Sequence, residues 1–324
     1  MINIFTLDHY LILFMSKNHN EVAVVTGSST GIGFETSLAL ARKGYITCAT
    51  MRNIQKAKLL ESIAQKENIP IKVLEMDVNN DIAVSSAITK VINEYGRIDI
   101  LVNNAGYGLF GALEDFTIAD IKNQFETNVF GMVRVIQNVL PVMRSQRNGI
   151  IINISSISGL AGIPAQSAYC GTKFAVEGIS EAISYELEPF GIRVILVEPG
   201  VVNTEFVQDL VVPTNKYGID KNGNQIDLLE DNNTGKLSFY NDTMKKFLMF
   251  YYNTMSKAPH PKVVADEIIK GIEKRSDRNN TNPILRIVVG NDSKRYSKFK
   301  KEFTDSEFHK LLNNDLLKTN RGKI

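Results

Sequence analysis

The stretch EVAVVTGSSTGIG, from Glu21 to Gly33, decides the fold of this 324-residue chain. Val22, Val24 and Val25 make a β-branched apolar run that reads as a buried parallel strand ending at Thr26. Gly27 then opens a turn, and a helical pattern begins beyond Gly33. Strand, glycine turn and helix in that order form a phosphate cradle. Glycine lets the backbone approach a pyrophosphate, whose charge meets the free amides and the dipole of the helix N-terminus. The candidate residues of the turn are Gly27, Ser29, Thr30, Gly31, Ile32 and Gly33. Their spacing is Gly-x-x-x-Gly-x-Gly and not the commoner Gly-x-Gly-x-x-Gly, but the flanking strand and helix supply the context that a dinucleotide site needs.

Outward from this turn the same alternation continues. A strand over Tyr45 to Thr50 ends in Met51, Arg52 and Asn53. An acidic residue at this point would accept a ribose 2′-hydroxyl, whereas an arginine suits a 2′-phosphate. Arg52 therefore favours NADP(H) over NAD(H), the other reading being a surface arginine opening the helix Ile54 to Glu67. A strand over Ile71 to Glu75 leads to Asp77 and Val78, a helix covers Asp81 to Tyr95, and a strand over Asp99 to Val102 runs into Asn103, Asn104, Ala105 and Gly106. Such alternation predicts an α/β fold: a Rossmann-type, doubly wound parallel sheet of about seven strands, with ligands beyond the carboxyl ends of the strands.

A second constellation lies further on. The apolar run Ile150 to Ile154 reads as a buried strand with Ser156 just past its end, and Tyr169 and Lys173 stand four residues apart. On a helix this spacing stacks the ammonium beside the phenol. A phenol ionises near pH ~10 and a neighbouring cation favours the ionised form, so Tyr169 could exchange a proton close to neutrality. Singly, Ser156 also reads as a turn former, and Asn128, inside an expected helix Ile118 to Met143, as a buried hydrogen bonder.

Charged residues are 22% and apolar ones 44%, the balance of a globular protein with a substantial core. A formal charge of +2 is too small to argue for nucleic acid. The basic cluster Lys294, Arg295, Lys298, Lys300 and Lys301 reads as a solvated helix face. Cys48 and Cys170 have no metal-like spacing and point to a reducing cytoplasm. Ile2 to Met15 is too short for a membrane span and lacks the marks of a secretory signal.

The residues Thr26 to Gly33, Asp77, Asn103 to Gly106, Asn128, Ser156, Tyr169 with Lys173, and Pro199-Gly200 followed by Thr204 resemble, in order and spacing, the short-chain dehydrogenase/reductase family. The resemblance covers roughly residues 20 to 204 and implies roles for each. Tyr169 is then the general acid/base, and Lys173 binds the nicotinamide ribose and lowers the tyrosine pKa. Ser156 holds the substrate oxygen and Asn128 positions a water in a proton relay. Asp77 and Val78 contact the adenine, Asn104, Ala105 and Gly106 line the cofactor trough, and Val202 and Thr204 hold the carboxamide beside Pro199 and Gly200. A looser similarity, through Ala49 to Asn53 and a strand over Pro283 to Gly290, points to the branch with 17β-hydroxysteroid and retinol dehydrogenases.

The expected organisation is an N-terminal extension over residues 1–20, one sheet domain over 21–290 with a lid insertion at about 203–260, and a tail over 291–324 forming two short amphipathic helices at the sheet edge. Asn215 to Lys236 is polar, whereas Phe206, Val207, Leu210 and Val211 on one side and Phe247 to Tyr252 on the other are apolar. These ends either close over an apolar carbonyl or alcohol substrate, such as a steroid, retinoid or acyl chain, or simply pack the lid. Apolar faces on the helices starting near Ile118 and Ser167 imply, by the same resemblance, a homodimer or homotetramer. Rival readings are a 3-oxoacyl reductase with a shorter lid and a non-catalytic dinucleotide-binding regulator.

Overall fold

A computed structural model describes residues 21–219, 237–275 and 284–318. The expected extension over 1–20 and most of the polar lid centre, residues 220–236, lie outside the described residues. Strands β1 (Val22–Thr26), β2 (Ile46–Met51), β3 (Ile71–Glu75), β4 (Ile100–Asn103), β5 (Gly149–Ile154), β6 (Ile192–Pro199) and β7 (Ile284–Val289) form one parallel seven-stranded sheet in the order 3-2-1-4-5-6-7. Every residue of β1 is buried, as its β-branched run requires. The order reverses between β1 and β4, which opens a crevice at their carboxyl ends.

Helices cover both faces. α1 (Gly31–Arg42) and α2 (Lys58–Glu67) follow β1 and β2, and α3 (Asp81–Tyr95) follows β3. The Asn80 side chain accepts from the Ala83 amide to start α3, and Gly96 ends it at φ 72°. α4 (Ile118–Phe125), α5 (Gly131–Gln146) and α6 (Ser167–Leu187) come next. Val84, Ile88, Val135, Val139 and Val176 from α3, α5 and α6 pack one face of the sheet. Leu40 of α1 packs the other, together with Val264, Ile268 and Ile272 of α8 (Lys262–Arg275). Each such side chain, fully buried, contributes on the order of 1.5–3 kcal/mol.

Two elements differ from the expectation. The single helix expected over Ile118 to Met143 is interrupted by a π-helical turn, Glu126–Phe130, which holds Asn128 buried between α4 and α5. The stretch expected as a long lid contains a helix, α7 (Asn241–Met255), whose Phe247, Leu248, Tyr251 and Met255 share one buried face. That face joins Phe110, Leu210 and Tyr217 in an apolar cluster separate from those on the sheet. The tail forms α9 (Asn291–Glu302), packed on the edge strand β7, and α10 (Asp305–Leu312). Phe308, Leu312 and Leu316 extend from the tail into the lid cluster, so the tail helps to build the lid as well as cover the edge. No helix among the described residues is long and apolar enough to cross a membrane.

Candidate active site

The glycine turn after β1 is shaped by positions that other residues would spoil. Gly27 and Gly31 have φ of 65° and 60°, where a side chain is strained. A Cβ on Gly33 would lie 2.4 Å from the Gly27 carbonyl oxygen and 2.4 Å from Asn104 Nδ2. Asn104 Nδ2 donates to the Thr26 and Gly27 carbonyls at 2.9 and 3.0 Å, and Thr26 Oγ1 accepts from the Asn104 and Ala105 amides at 2.9 and 3.0 Å. The loop after β4 is thereby latched to the turn after β1 across the crevice. Asn104 lines the cleft, but its side-chain amide is spent on backbone.

A cleft of about 610 Å³ opens at these strand ends. It is lined by Gly27, Ser29, Thr30, Gly31 and Ile32 of the turn, by Arg52, Asp77 and Val78 on one side, and by Pro199, Gly200, Val202 and Thr204 on the other. Arg52, exposed just past the end of β2, lines the cleft without an ion pair among the described residues, and Asp77 Oδ1 accepts from the Asn79 amide at 3.0 Å. Ala105 and Gly106 form the wall below Asn104. Gly33 lies beneath the turn and does not line the cleft.

Ser156, Tyr169 and Lys173 line the same cleft. Ser156 stands just past β5, and its Oγ accepts from the Ser158 amide at 3.1 Å, leaving its O–H to donate. Tyr169 and Lys173 lie one turn apart on α6, 9% and 8% exposed. Lys173 Nζ donates to the Ile154 carbonyl at 2.7 Å and lies 5.6 Å from the Tyr169 ring centroid. Burial pulls the lysine down to about 8, against the opposing pull of the Glu177 carboxylate. Burial pushes the Tyr169 phenol up, and a hydrogen bond with Ser156 acts the other way. Of the two, burial is the larger, so the net shift of the phenol is upward.

Asn128 stands behind the cleft, 3% exposed. Its Oδ1 accepts from the Tyr107 amide at 3.0 Å, and its Nδ2 donates to the Tyr107 carbonyl at 2.9 Å and to Thr172 Oγ1 at 3.1 Å. With Asn103 and Lys173 it lines a second cavity of about 10 Å³. Residues that sequence reasoning missed complete the cleft. Phe110, 1% exposed, meets Tyr169, Phe206 and Tyr251 edge-on at centroid distances of 5.7, 6.4 and 5.1 Å. Gln166 accepts from Ser158 Oγ at 2.7 Å beside Ser156. Both sit in irregular loops with no periodic pattern to reveal them. Among the described residues no cluster of three or more side chains could ligate a metal.

Comparison with known proteins agrees with this geometry. A profile described as short chain dehydrogenase matches residues 21–213. The chain is 37% identical over 270 residues to a 3-ketodihydrosphingosine reductase of Bacteroides thetaiotaomicron, covering 83% of this chain and 88% of that one. It is 41% identical over 187 residues to retinol dehydrogenase 8 of Homo sapiens, covering 56% of this chain and 59% of that one. A solved short-chain dehydrogenase from Streptomyces avermitilis shares the fold at a TM-score of 0.71 and 26% identity, over 93% of this chain and 97% of that one. The chain thus belongs to the short-chain dehydrogenase/reductase family, in a branch like the steroid and retinol dehydrogenases, and is an oxidoreductase that works between CH–OH and C=O.

Proposed function

We propose that the chain is an NADP(H)-dependent reductase of an apolar ketone or aldehyde, or the dehydrogenase of the matching alcohol, with Tyr169 as general acid/base. The observation that carries this reading is that Ser156, Tyr169 and Lys173 open onto the same cleft as the glycine turn. The turn fits a dinucleotide because Gly27 and Gly31, both at positive φ, line the cleft with Ser29, Thr30 and Ile32 and let backbone approach a ligand there. The amides at the start of α1 meet the pyrophosphate. Arg52 would answer a 2′-phosphate, Asp77 and Val78 would hold the adenine, and Val202 and Thr204 would hold the carboxamide. When bound, the nicotinamide supplies or accepts the hydride.

The chain's own residues handle the proton and the oxygen. Ser156 donates to the substrate oxygen, and Tyr169 gives its proton to the oxygen as negative charge develops there. At neutral pH a phenol carries its proton, which is the state a donor needs in the reducing direction. Hydrogen bonds aimed at the developing alkoxide add to the acceleration. Lys173 holds the ribose and hands protons on. The cavity it shares with Asn128 is at the lower limit for one water, which supports the relay.

Phe110, Ile157, Phe206, Val211 and Tyr251 line the cleft beside Tyr169 and suit an apolar body. Two relatives are named for retinol and for 3-ketodihydrosphingosine. This lid speaks for a free apolar substrate over the carrier-linked one of a 3-oxoacyl reductase. Exposed Ile118 on α4, Phe130 in the π turn and Phe174 on α6 support a homodimer or homotetramer. The test is NADPH and NADH consumption over a panel of apolar ketones, retinal and 3-ketodihydrosphingosine. Turnover with NADPH preferred is the expected result, and no turnover of any member would overturn the reading.

A further inference from the structure

Several tyrosines stand in the lid cluster, and Tyr217 and Tyr251 differ in how their hydroxyls are met. Tyr217 donates to Asp115 Oδ2 at 2.7 Å and accepts from the Ala112 amide at 2.9 Å, so its polar end belongs to the lid's own architecture. Tyr251 is 8% exposed and lines the cleft. No group among the described residues hydrogen-bonds its hydroxyl, which is nonetheless not sealed in the interior. A hydroxyl that opens onto the cleft without a protein partner is free to hydrogen-bond whatever polar group occupies the cleft beside it. The ring itself is fixed: it packs edge-on against Phe110 at 5.1 Å and stacks on Phe247 at 6.1 Å. Phe110 also meets the Tyr169 ring at 5.7 Å, so one phenyl ring touches both tyrosines, and both line the same cleft.

We infer that Tyr251 is a specificity-determining residue that hydrogen-bonds a second polar group on the substrate, a hydroxyl, amine or oxo group within a few bonds of the reacting carbonyl. The inference rests on the carbonyl-reductase reading and narrows its substrate class to an apolar carbonyl compound with one polar substituent near the reacting centre. The lining around Tyr251 is aromatic and aliphatic, with Phe110, Phe206 and Val211 beside it, so the substrate is the partner that completes its hydroxyl.

The test compares 2-decanone with 1-hydroxy-2-decanone and 4-hydroxy-2-decanone as NADPH-dependent substrates of wild type, Tyr251→Phe and Tyr217→Phe, with a thermal melt of each protein. Wild type is expected to prefer at least one hydroxylated ketone by roughly tenfold in kcat/KM, the yield of one hydrogen bond. Tyr251→Phe is expected to bring that ratio close to one without lowering Tm. Tyr217→Phe is expected to keep the ratio and lower Tm. Absence of a preference in wild type, its survival in Tyr251→Phe, or a fall in Tm of Tyr251→Phe matching that of Tyr217→Phe would each overturn the assignment. If wild type binds NADPH by fluorescence but consumes it with none of the three ketones, with retinal or with 3-ketodihydrosphingosine, the carbonyl-reductase reading fails and this inference falls with it.

Discussion

Lys173 Nζ donates to the Ile154 carbonyl at 2.7 Å and lies over the Tyr169 ring, 5.6 Å from its centroid, so one ammonium both ties α6 to the end of β5 and faces the phenol ring. Burial holds this lysine at about 8, below its ordinary 10.5. Between those values the unfolded chain binds more protons than the folded one, so the stability contributed at this site rises with pH across the window and is least below pH 8. The tyrosines that burial pushes up, Tyr169, Tyr217 and Tyr251, act oppositely once unfolded phenols ionise near pH 10. The difference in Tm between wild type and Lys173→Met is therefore expected to shift in favour of wild type from pH 8 to 10. A difference that stays flat over that range would contradict the assignment of the buried charge.

Gly33→Ala places a methyl group where 2.4 Å separates it from both Gly27 O and Asn104 Nδ2. Backbone has no rotamer with which to yield. The expected outcome is a loss of about 1–3 kcal/mol in urea unfolding, the usual cost of overpacking, together with weakened NADPH binding.

Arg52 is exposed at the cleft rim, where a 2′-phosphate would stand. A charge-assisted hydrogen bond of this kind contributes about 1.5–3 kcal/mol. Arg52→Ala is thus expected to weaken NADPH binding by roughly tenfold to a hundredfold and to leave NADH binding nearly unchanged, as read by nicotinamide fluorescence. Equal affinity of the wild type for the two cofactors would count against the NADP(H) preference.

The parts of this molecule that could be read from the sequence are those whose residue types have one structural solution. Val22, Val24 and Val25 are wholly buried in β1, and Gly27 takes the positive φ that the turn needs. The strand Ile71–Glu75 and the helix Asp81–Tyr95 fall where the sequence pattern puts them. The π turn at Glu126–Phe130 was not legible, because a change of hydrogen-bond register has no residue-type signature. Helix α7 was hidden because Met249, Phe250 and Tyr252 are also apolar, so its buried face does not stand out from the run. Phe110 meets Tyr251 across the cleft from a distant part of the chain, a contact that local pattern does not report. The spacing of Tyr169 and Lys173 was readable, but their burial, which sets the direction of both pKa changes, belongs to the tertiary fold.

The role of the phenol is open to one direct measurement: NADPH consumption by Tyr169→Phe on whichever ketone the wild type turns over best. The account predicts a fall of about 10² to 10⁴-fold in kcat, the range for a positioned proton donor, in a protein that still binds NADPH. A variant that turns over as fast as wild type would show that the proton comes from another group.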